Sequence, residues 1–356
     1  MGDMDDIPED AADRLARCRV VALPDLFLDH VVPVGDGEAF LAEAAEVRRR
    51  GGGNIRTVAQ ELRPGGNAAN TALGLARLGV PTTLVAATDG PARLLLERAA
   101  EDAPLDLDSV AATDRPARTV ALESTGGARG TDGTGANVML SDAGYVAGFG
   151  PEDVPDAAWE AIASADAVLV ANWSQTRSHG TRLLEAVVEA APPGAVYMDT
   201  GDMSRRGDAL RGLLSSPALP SLGTWAMNEN EARTLVRALG MDTSGKSDGK
   251  ADARMAPWGT ALAARLGIRI DLHTGAWAGS FRADEAVEAR GFEIKAKRLT
   301  GAGDAWNAGN ITASLLGLDH RARLRIAHGV AALSLRSPAP PRLDDLRRWS
   351  AEAVVP

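Results

Sequence analysis

Short apolar runs alternate with longer segments of helical periodicity along most of this 356-residue chain. Such alternation is typical of a mostly parallel sheet covered by helices on both faces. The predicted core strands are 19–28, 82–87, 166–172, 195–199, 224–227 and 269–274. The predicted helices are 38–50, 67–78, 156–164, 180–191, 229–239, 254–266, 302–317 and 321–335. The pattern therefore predicts an α/β fold with three layers.

Polar residues end several of these predicted strands. They are Asp29, Asn172, Asp199, Asn228 and Thr274. Ligands of open parallel sheets gather at the carboxyl ends of the strands. We therefore expect these five side chains to converge on one site.

Three regions break the alternation, at about 31–36, 54–63 and 118–141. Apolar and polar residues alternate with period two in 54–63, and again on either side of a glycine-rich stretch in 118–141. Period-two alternation is typical of half-buried strands. These regions predict a second, smaller sheet inserted into the main domain; the family resemblance described below implies that the main domain spans residues 19–335, with 1–17 and 337–356 as terminal extensions.

A glycine-rich helix start lies near the end of the main domain, at Gly301, Ala302, Gly303 and Asp304. The unpaired N–H groups of a helix start bind anions, and glycine lets an anion approach the backbone closely. A carboxylate there could accept a proton from an attacking alcohol. From these residues alone, an ordinary turn with an N-terminal helix charge is an equally good interpretation.

A second glycine turn opens the helix predicted at 67–78. Gly65 and Gly66 precede Asn67 and Asn70, which are three residues apart and share one helix face. Side-chain amides both donate and accept hydrogen bonds, which suits a ligand rich in hydroxyls. Asparagines that merely cap a helix would give the same pattern.

Taken together, the two glycine motifs resemble the paired motifs of the ribokinase, or PfkB-type, family of carbohydrate and nucleoside kinases. Their order and separation also fit that family. Residues 228–231 are similar to the family's Asn-x-x-Glu motif, and residues 19–29 are similar to its first strand. Residues 272–279 resemble the strand and turn beside the nucleotide, and 326–334 resemble the helix beside the adenine.

The resemblance implies a ribokinase-like fold and a reaction in which the γ-phosphate of ATP passes to a hydroxyl of a sugar. Asp304 would be the general base, and Gly301, Ala302 and Gly303 would form the anion hole. The resemblance implies that the acceptor is bound by Asp29, Gly65, Gly66, Asn67, Asn70 and Asn172. It implies that the nucleotide is bound by Asn228, Thr274, Gly275, Gly279, Thr300 and His328. Glu231 would organise Mg²⁺ through water.

The small sheet would be a lid that closes over the substrate and joins two copies of the chain as a homodimer. We expect an unphosphorylated sugar or nucleoside as acceptor, because no cluster of basic residues lies beside Gly65–Asn70. The arginines of the presumed lid, Arg56, Arg63 and Arg118, could still bind a phosphorylated sugar. A nucleoside kinase and a non-catalytic sugar- or nucleotide-binding relative remain alternatives.

One departure from the family pattern concerns potassium. Many relatives carry an aspartate two residues before the threonine of the Thr-Gly-Ala-Gly-Asp motif, where it helps to hold a monovalent cation. This chain has Arg298 there, and prolines at 338, 340 and 341 in the loop that completes such a site. A guanidinium carries a fixed positive charge and cannot coordinate a cation. We therefore expect no monovalent cation requirement.

Charge and composition exclude other classes of function. A net charge of −10 argues against nucleic acid as a partner. A single cysteine indicates a reducing compartment, and no apolar run is long enough to span a membrane. The acidic N-terminus lacks the pattern of a signal peptide. We therefore expect a cytoplasmic protein without a membrane partner.

Overall fold

The computed structural model of the chain describes residues 7–55, 59–124, 136–241, 252–294, 296, 300–337 and 339–352. The strands in these ranges are β1 Val20–Leu23, β2 Phe27–Gly35, β3 Glu61–Gly65, β4 Thr82–Leu84, β5 Ala86–Thr88, β6 Leu105–Asp106, β7 Val110–Ala112, β8 Ala117–Ser124, β9 Ala136–Asp142, β10 Ala167–Val170, β11 Val196–Asp199, β12 Thr224–Asn228, β13 Arg269–His273, β14 Trp277–Arg282 and β15 Glu285–Arg290.

The α-helices are α1 Ala11–Leu15, α2 Gly37–Arg49, α3 Asn67–Arg77, α4 Gly90–Ala99, α5 Asp156–Ala163, α6 Gly180–Ala190, α7 Gly207–Leu214, α8 Glu229–Ala238, α9 Asp252–Leu266, α10 Ala302–Leu315, α11 His320–Arg336 and α12 Leu343–Glu352. Within the described residues, no helix is both long and apolar enough to cross a membrane.

The main sheet has nine strands in the order β15-β14-β13-β12-β11-β10-β1-β4-β6. The seven strands from β13 to β6 pair in parallel, whereas β14 and β15 form an antiparallel hairpin at one edge. Successive side chains of a strand point to opposite faces, so a sheet covered on both sides needs apolar residues at every position. All four residues of β1 are buried, as this rule requires.

Two hydrophobic cores lie on the two faces of this sheet. One contains residues of α1, α3, α4, α10, α11 and α12. The other contains residues of α5, α6, α7, α8 and α9. Within β1, Val20 and Ala22 belong to the first core, and Val21 and Leu23 belong to the second. The three-layer arrangement predicted from the sequence is confirmed.

A separate four-stranded sheet, here called the lid sheet, has the order β3-β2-β8-β9. One row of residues in register across it is Arg63, Asp29, Thr119 and Ser141. The neighbouring row is Leu62, His30, Val120 and Leu140. Adjacent rows face opposite sides of a sheet, so the polar row and the more apolar row lie on different faces.

Several predicted strands differ from the observed ones. The strand predicted at 19–28 is in fact two strands in different sheets: β1 ends at Leu23, and β2 begins at Phe27 in the lid sheet. Asp29 therefore does not end a core strand. The strand predicted at 82–87 divides between β4 of the main sheet and β5, which pairs with β7. The lid strand predicted at 54–63 begins only at Glu61, and residues 56–58 lie outside the described part.

The two predicted terminal extensions each contain a helix that packs on the main body. Ala11 and Leu15 of α1 are fully buried, and so is Leu346 of α12. All three belong to the core on the α10 side of the sheet. The described parts of both ends thus contribute to the same hydrophobic core as the strands.

Candidate active site

A cavity of about 550 Å³ lies between the carboxyl ends of the main-sheet strands and the polar face of the lid sheet. Nine of the predicted site residues line it: Asp29, Gly66, Asn67, Asn70, Asn172, Glu231, Thr300, Gly301 and Asp304. Asn172, Asp199, Asn228 and Thr274 lie at or within two residues of the carboxyl ends of β10, β11, β12 and β13, as predicted, but of these four only Asn172 lines the cavity. Asp29 reaches the cavity from the lid sheet instead.

The cavity floor includes the N-terminus of α10. Gly301 is the N-cap residue and has a φ of 82°, in the left-handed region that favours glycine. A Cβ added at Gly301 would meet nothing within 4 Å, and one at Gly303 would meet only His273 Cε1 at 3.8 Å. Because the first N–H groups of a helix lack intrahelical partners, this open helix start is suited to bind an anion.

Asp304, in the first turn of α10, is held by a residue of the second glycine motif. Asn70 Nδ2 donates a hydrogen bond of 2.8 Å to Asp304 Oδ2. Burial in the cavity floor, together with the negative charge of Asp199, raises the pKa of Asp304 well above its usual range. A carboxylate with a raised pKa is a stronger proton acceptor once it is ionised, as a general base requires.

Asp25 organises the start of α3, and the sequence analysis did not assign it to the site. Its Oδ2 accepts hydrogen bonds from the Asn67 N–H (3.0 Å) and Asn172 Nδ2 (2.8 Å), and its Oδ1 accepts from the Ala68 N–H (2.8 Å). Burial raises the pKa of Asp25 to about 6. The position of Asp25, two residues after the end of β1, was the sequence signal that could have identified it.

Asp29 packs directly on Gly65. A Cβ added at Gly65 would lie 2.1 Å from Asp29 Oδ2, so only glycine leaves room for this carboxylate. Burial raises the pKa of Asp29 to about 6, although the nearby Arg63 opposes the shift. Gly66 has a φ of 96° and passes close to Asp25, with which an added Cβ would also collide.

Asn228 and Glu231 form a reciprocal cap at the start of α8. Asn228 Oδ1 accepts from the N–H of Glu231 (3.1 Å), and the Glu231 carboxylate accepts from both the N–H (3.0 Å) and Nδ2 (2.8 Å) of Asn228. Burial and the charge of Asp199 raise the pKa of Glu231 to about 8. The cap fixes the Glu231 carboxylate at the cavity wall.

The carboxylates around the cavity are suited to a divalent cation. The pKa values of Asp25, Asp29, Asp199, Glu231 and Asp304 are all raised, by burial first and in part by mutual repulsion. Oxygen ligands are those that Mg²⁺ prefers, usually with several waters retained. In the described part of the chain, no three acidic, histidine or cysteine residues cluster tightly enough to hold a metal alone. Glu231 at the cavity wall could hold a magnesium ion through water, together with the phosphates of a bound ligand.

Three of the predicted nucleotide-side residues, Thr274, Gly275 and Gly279, lie at the edge hairpin rather than in the cavity wall. Thr274 makes the β13–β14 turn, where its N–H donates to the Trp277 carbonyl (2.7 Å) and its Oγ1 accepts from the Trp277 N–H (3.0 Å). Gly275 is exposed in this turn, with no atom within 4 Å of an added Cβ. Gly279 lies within β14 and not in the turn; the rings of Trp277 and Phe281 leave no space for a Cβ there.

His328 is buried on α11 against Trp306 of α10. Trp306 lies between two histidines: His273 stacks on it with ring centroids 4.5 Å apart, and His328 meets it edge-on at 6.5 Å. Burial lowers the pKa of His328 to about 3 and that of His273 to about 4, so both rings are neutral near pH 7. His328 Nε2 is buried without a partner in the described part of the chain.

A stripe of polar residues on α10 continues from Asp304 into the core. Asn307 and Asn310 follow at intervals of three, which places them on the same face of the helix. Asn307 Nδ2 donates to Asp199 Oδ2 (2.6 Å), and the Tyr197 hydroxyl donates to Asn307 Oδ1 (3.4 Å). Asn310 Nδ2 in turn donates to the Tyr197 hydroxyl.

The stripe ends at a buried ion pair. Arg323 Nη1 of α11 donates to Asp271 Oδ2 of β13 (2.6 Å), and the two side chains are 2% and 0% exposed. Asn310 donates to the same carboxylate oxygen (2.9 Å), and Arg323 Nη2 donates to Ser280 Oγ (2.8 Å). Although burial opposes the shift, Arg323 lowers the pKa of Asp271 to about 2. These contacts tie α10 and α11 to three strands of the main sheet.

The lid sheet contacts the α10 loop through Thr300. The Thr300 hydroxyl donates to Glu123 Oε1 of β8 (3.0 Å) and accepts a hydrogen bond from Arg63 of β3. Arg63 Nη2 also lies 3.7 Å from Glu123 Oε1. Arg298, on which the expectation of no monovalent cation requirement rests, lies outside the described residues.

Comparison with solved structures identifies proteins of the same fold. Ribokinase from Arabidopsis thaliana, complexed with ribose and ATP, is 21% identical with a TM-score of 0.65, over 93% of this chain and 97% of that one. Adenosine kinase from Sinorhizobium meliloti is 17% identical with a TM-score of 0.68, over 95% and 99%. An E. coli protein assigned as ribokinase II, in complex with ATP and Mg²⁺, is 15% identical with a TM-score of 0.68, over 94% and 99%.

Among curated proteins, none matches the sequence significantly. The family model described as pfkB family carbohydrate kinase, however, matches residues 30–340, and hence most of the chain. The chain therefore belongs to the pfkB family of carbohydrate kinases, which are phosphotransferases with an alcohol group as acceptor.

Proposed function

We propose that this protein transfers the γ-phosphate of ATP to a hydroxyl of an uncharged sugar or a similar polyhydroxylated acceptor. The observation that carries the proposal is the position of Asp304. Its carboxylate is held at 2.8 Å by Asn70 and lines the same cavity as Asp29 and the open helix start at Gly301. A proton acceptor, an acceptor-binding carboxylate and an anion site thus face one space.

Bound Mg-ATP supplies the phosphoryl group, and its metal ion offsets part of the charge on the phosphates. Asp304 takes the proton of the attacking hydroxyl as the new bond to phosphorus forms. The N–H groups of Gly301, Ala302 and Gly303 hold the charge on the phosphoryl oxygens. Glu231 would hold the metal ion through water. The proposal assigns nucleotide binding to six residues: Asn228, Thr274, Gly275, Gly279, Thr300 and His328.

The binding site for the acceptor is formed by the polar row of the lid sheet and by the start of α3. Asp29, Asn67, Asn70 and Asn172 present carboxylate and amide groups to the cavity, and Gly65 and Gly66 give Asp29 and Asp25 the room they need. Carboxylates accept from sugar hydroxyls, while amides both donate and accept. This set of groups supports a ligand with several adjacent hydroxyls.

The charge of the cavity favours an acceptor without a negative charge. Acidic residues outnumber basic ones among its described lining, namely Asp29, Glu61, Asp202, Glu231 and Asp304 against Arg63. A sugar phosphate or sugar acid would meet repulsion from the carboxylates of Asp29, Glu61 and Asp202. Trp173 is 1% exposed, with its indole N–H bonded to Thr181 Oγ1 (3.2 Å), so it is a core residue and offers no stacking surface to a nucleoside base.

The test is ADP release from Mg-ATP in the presence of free sugars, sugar acids, sugar phosphates and nucleosides, with Asp304→Asn measured in parallel. We expect activity on one or a few uncharged sugars, a kcat lowered by ~10³-fold or more in Asp304→Asn, and nearly unchanged acceptor affinity. Activity on nucleosides alone would favour the nucleoside-kinase alternative. ATP binding without turnover of any acceptor would favour a non-catalytic relative. Near-wild-type kcat in Asp304→Asn would contradict its role as base.

The proposal includes independence from monovalent cations. It rests on the sequence, where the arginine at 298 replaces the carboxylate of potassium-dependent relatives. Rates measured in K⁺ and in a bulky organic cation at equal ionic strength are expected to agree within about twofold. A severalfold rise on adding K⁺ would contradict this part.

We also propose that two copies associate through the outer face of the lid sheet. Leu62 and Leu140 on that face are 55% and 60% exposed, and Val138 is 57% exposed. Adjacent exposed apolar side chains of this kind mark an association surface. Light scattering on the wild type is expected to give the mass of a dimer, and Leu140→Glu that of a monomer. A monomeric wild type at micromolar concentration would refute the proposal.

A further inference from the structure

Arg63 stands at the junction between the two halves of the cavity. It pairs in register with Asp29 across β2 and β3, on the face of the lid sheet that lines the cavity. At its other end, the guanidinium donates a hydrogen bond to Thr300 Oγ1, on the residue directly before Gly301. The side chain is 17% exposed. It therefore extends from the acceptor-binding carboxylate to the helix start that forms the anion site.

No other lysine or arginine lines the cavity in the described part of the chain. A positive charge surrounded by carboxylates would be expected to pair with the nearest of them in a bidentate fashion. Arg63 instead lies 3.7 Å from Glu123 Oε1, and the closer contact of Glu123 is with the Thr300 hydroxyl, at 3.0 Å. Glu123 and the nearby Asp29 offset part of its charge, and within the described residues the guanidinium donates a hydrogen bond only to Thr300, which leaves donors for an anion.

We propose that Arg63 is a catalytic residue that contacts the phosphoryl group during its transfer from the nucleotide to the acceptor. This inference rests on the proposed function, which places the acceptor beside Asp29 and the γ-phosphate at Gly301. A group that moves from the second site to the first must pass the guanidinium. Arginine is suited to this task because its planar fork binds two phosphoryl oxygens at once and stays charged at every relevant pH.

The chemistry balances without any further reactant. The acceptor oxygen forms a bond to phosphorus, the bond from phosphorus to the bridging oxygen of ADP breaks, and the hydroxyl proton passes to Asp304. Arg63 neither gains nor loses a proton in this step. The guanidinium N–H groups donate hydrogen bonds to the equatorial oxygens of the phosphoryl group. The backbone N–H groups at Gly301 donate to these oxygens from the opposite side. Glu123 and Thr300 hold the guanidinium in position beforehand.

The competing interpretation is that Arg63 binds an anionic group of the acceptor itself. It would then act on acceptor affinity and have no effect on nucleotide binding. If Arg63 binds the transferred group, it must instead distinguish a nucleoside triphosphate from a diphosphate, even when no acceptor is present. The two interpretations therefore differ in a binding measurement that needs no turnover.

The experiment compares Arg63→Met and Arg63→Lys with wild type, and Arg118→Met serves as the matched control. Arg118 is also a lid-sheet arginine, but it pairs with Asp89 and is 60% exposed. Calorimetry measures the affinity for a non-hydrolysable ATP analogue and for ADP, each with Mg²⁺ and without acceptor. We expect Arg63→Met to bind the analogue at least ~10-fold more weakly and ADP within about twofold of wild type, with Arg63→Lys intermediate.

Where an acceptor is turned over, Arg63→Met is expected to lower kcat by about 10²–10³-fold, with Arg118→Met unchanged. Equal losses of analogue and ADP affinity, or a raised acceptor KM with unchanged analogue affinity, would overturn the inference. Thermal unfolding of each variant shows whether such a loss reflects the site or the fold. If no acceptor is turned over but Arg63→Met still weakens binding of the ATP analogue and not of ADP, the proposed function fails, whereas the contact between Arg63 and the γ-phosphate stands.

Discussion

The contact between Gly65 and Asp29 gives the sharpest test of how the acceptor is held. A Cβ on residue 65 would lie 2.1 Å from Asp29 Oδ2 and 2.2 Å from Cγ. Since ordinary contact begins near 3.4 Å, Gly65→Ala must push the carboxylate back by roughly 1 Å. A displacement of that size at a reacting site lowers the rate by as much as ~10²-fold. We therefore expect kcat/KM for the acceptor to fall by about 10²-fold.

The stability of the variant should change little, because the displaced atoms are the end of a side chain and Gly65 is not among the glycines with positive φ. A change in unfolding free energy of less than about 1 kcal/mol is expected from thermal denaturation. Gly148→Ala is the matched control, since residue 148 is exposed and an added Cβ meets nothing within 4 Å. A Gly65→Ala enzyme with kcat/KM within twofold of wild type would refute the placement of the acceptor beside Asp29.

Three further predictions concern buried charges. Arg323→Met leaves the buried carboxylate of Asp271 without its partner, so chemical denaturation should show a loss of about 3–5 kcal/mol; a loss below 1 kcal/mol would contradict this. Asp199→Asn removes a charge that raises the pKa of Asp304, so the acidic limb of the pH profile of kcat/KM should move to lower pH, and an unmoved limb would count against the coupling. His328 has a folded-state pKa of about 3 against an ordinary value of 6.5, so only the unfolded chain takes up this proton between those values. The unfolding free energy should therefore decrease by up to ~1.4 kcal/mol per unit as the pH falls below 6.5, and His328→Phe should show a smaller slope across that window.

The helix starts at the site could be predicted from the sequence because their determinants are local. Gly66 and Gly301 occupy positive φ, and α3 and α10 begin at the residues that follow them. Glycine at such positions is needed whatever the rest of the chain does. The cap formed by Asn228 and Glu231 is local in the same way.

The pairing of strands could not be predicted in this way, because it depends on contacts between distant segments. An almost unbroken apolar run over 19–28 gives no sign that the chain leaves the main sheet after Leu23. The hairpin of β14 and β15 was also missed, although its two strands are adjacent in the chain, and so was the place of Gly279 inside it. Asp25 went unassigned because its role depends on α3 and on Asn172, which lies 147 residues away.

The polar stripe on α10 has a consequence for how the site can move. Asn307 and Asn310 bind Asp199, Tyr197 and the carboxylate of Asp271 inside the core. To slide or rotate α10, the protein would have to break several hydrogen bonds that no water can replace. Asp304, which we propose as the base, therefore has a fixed position in the molecule. Under this proposal, adjustment to different acceptors falls to the lid sheet, so altered specificity can arise there without displacing Asp304.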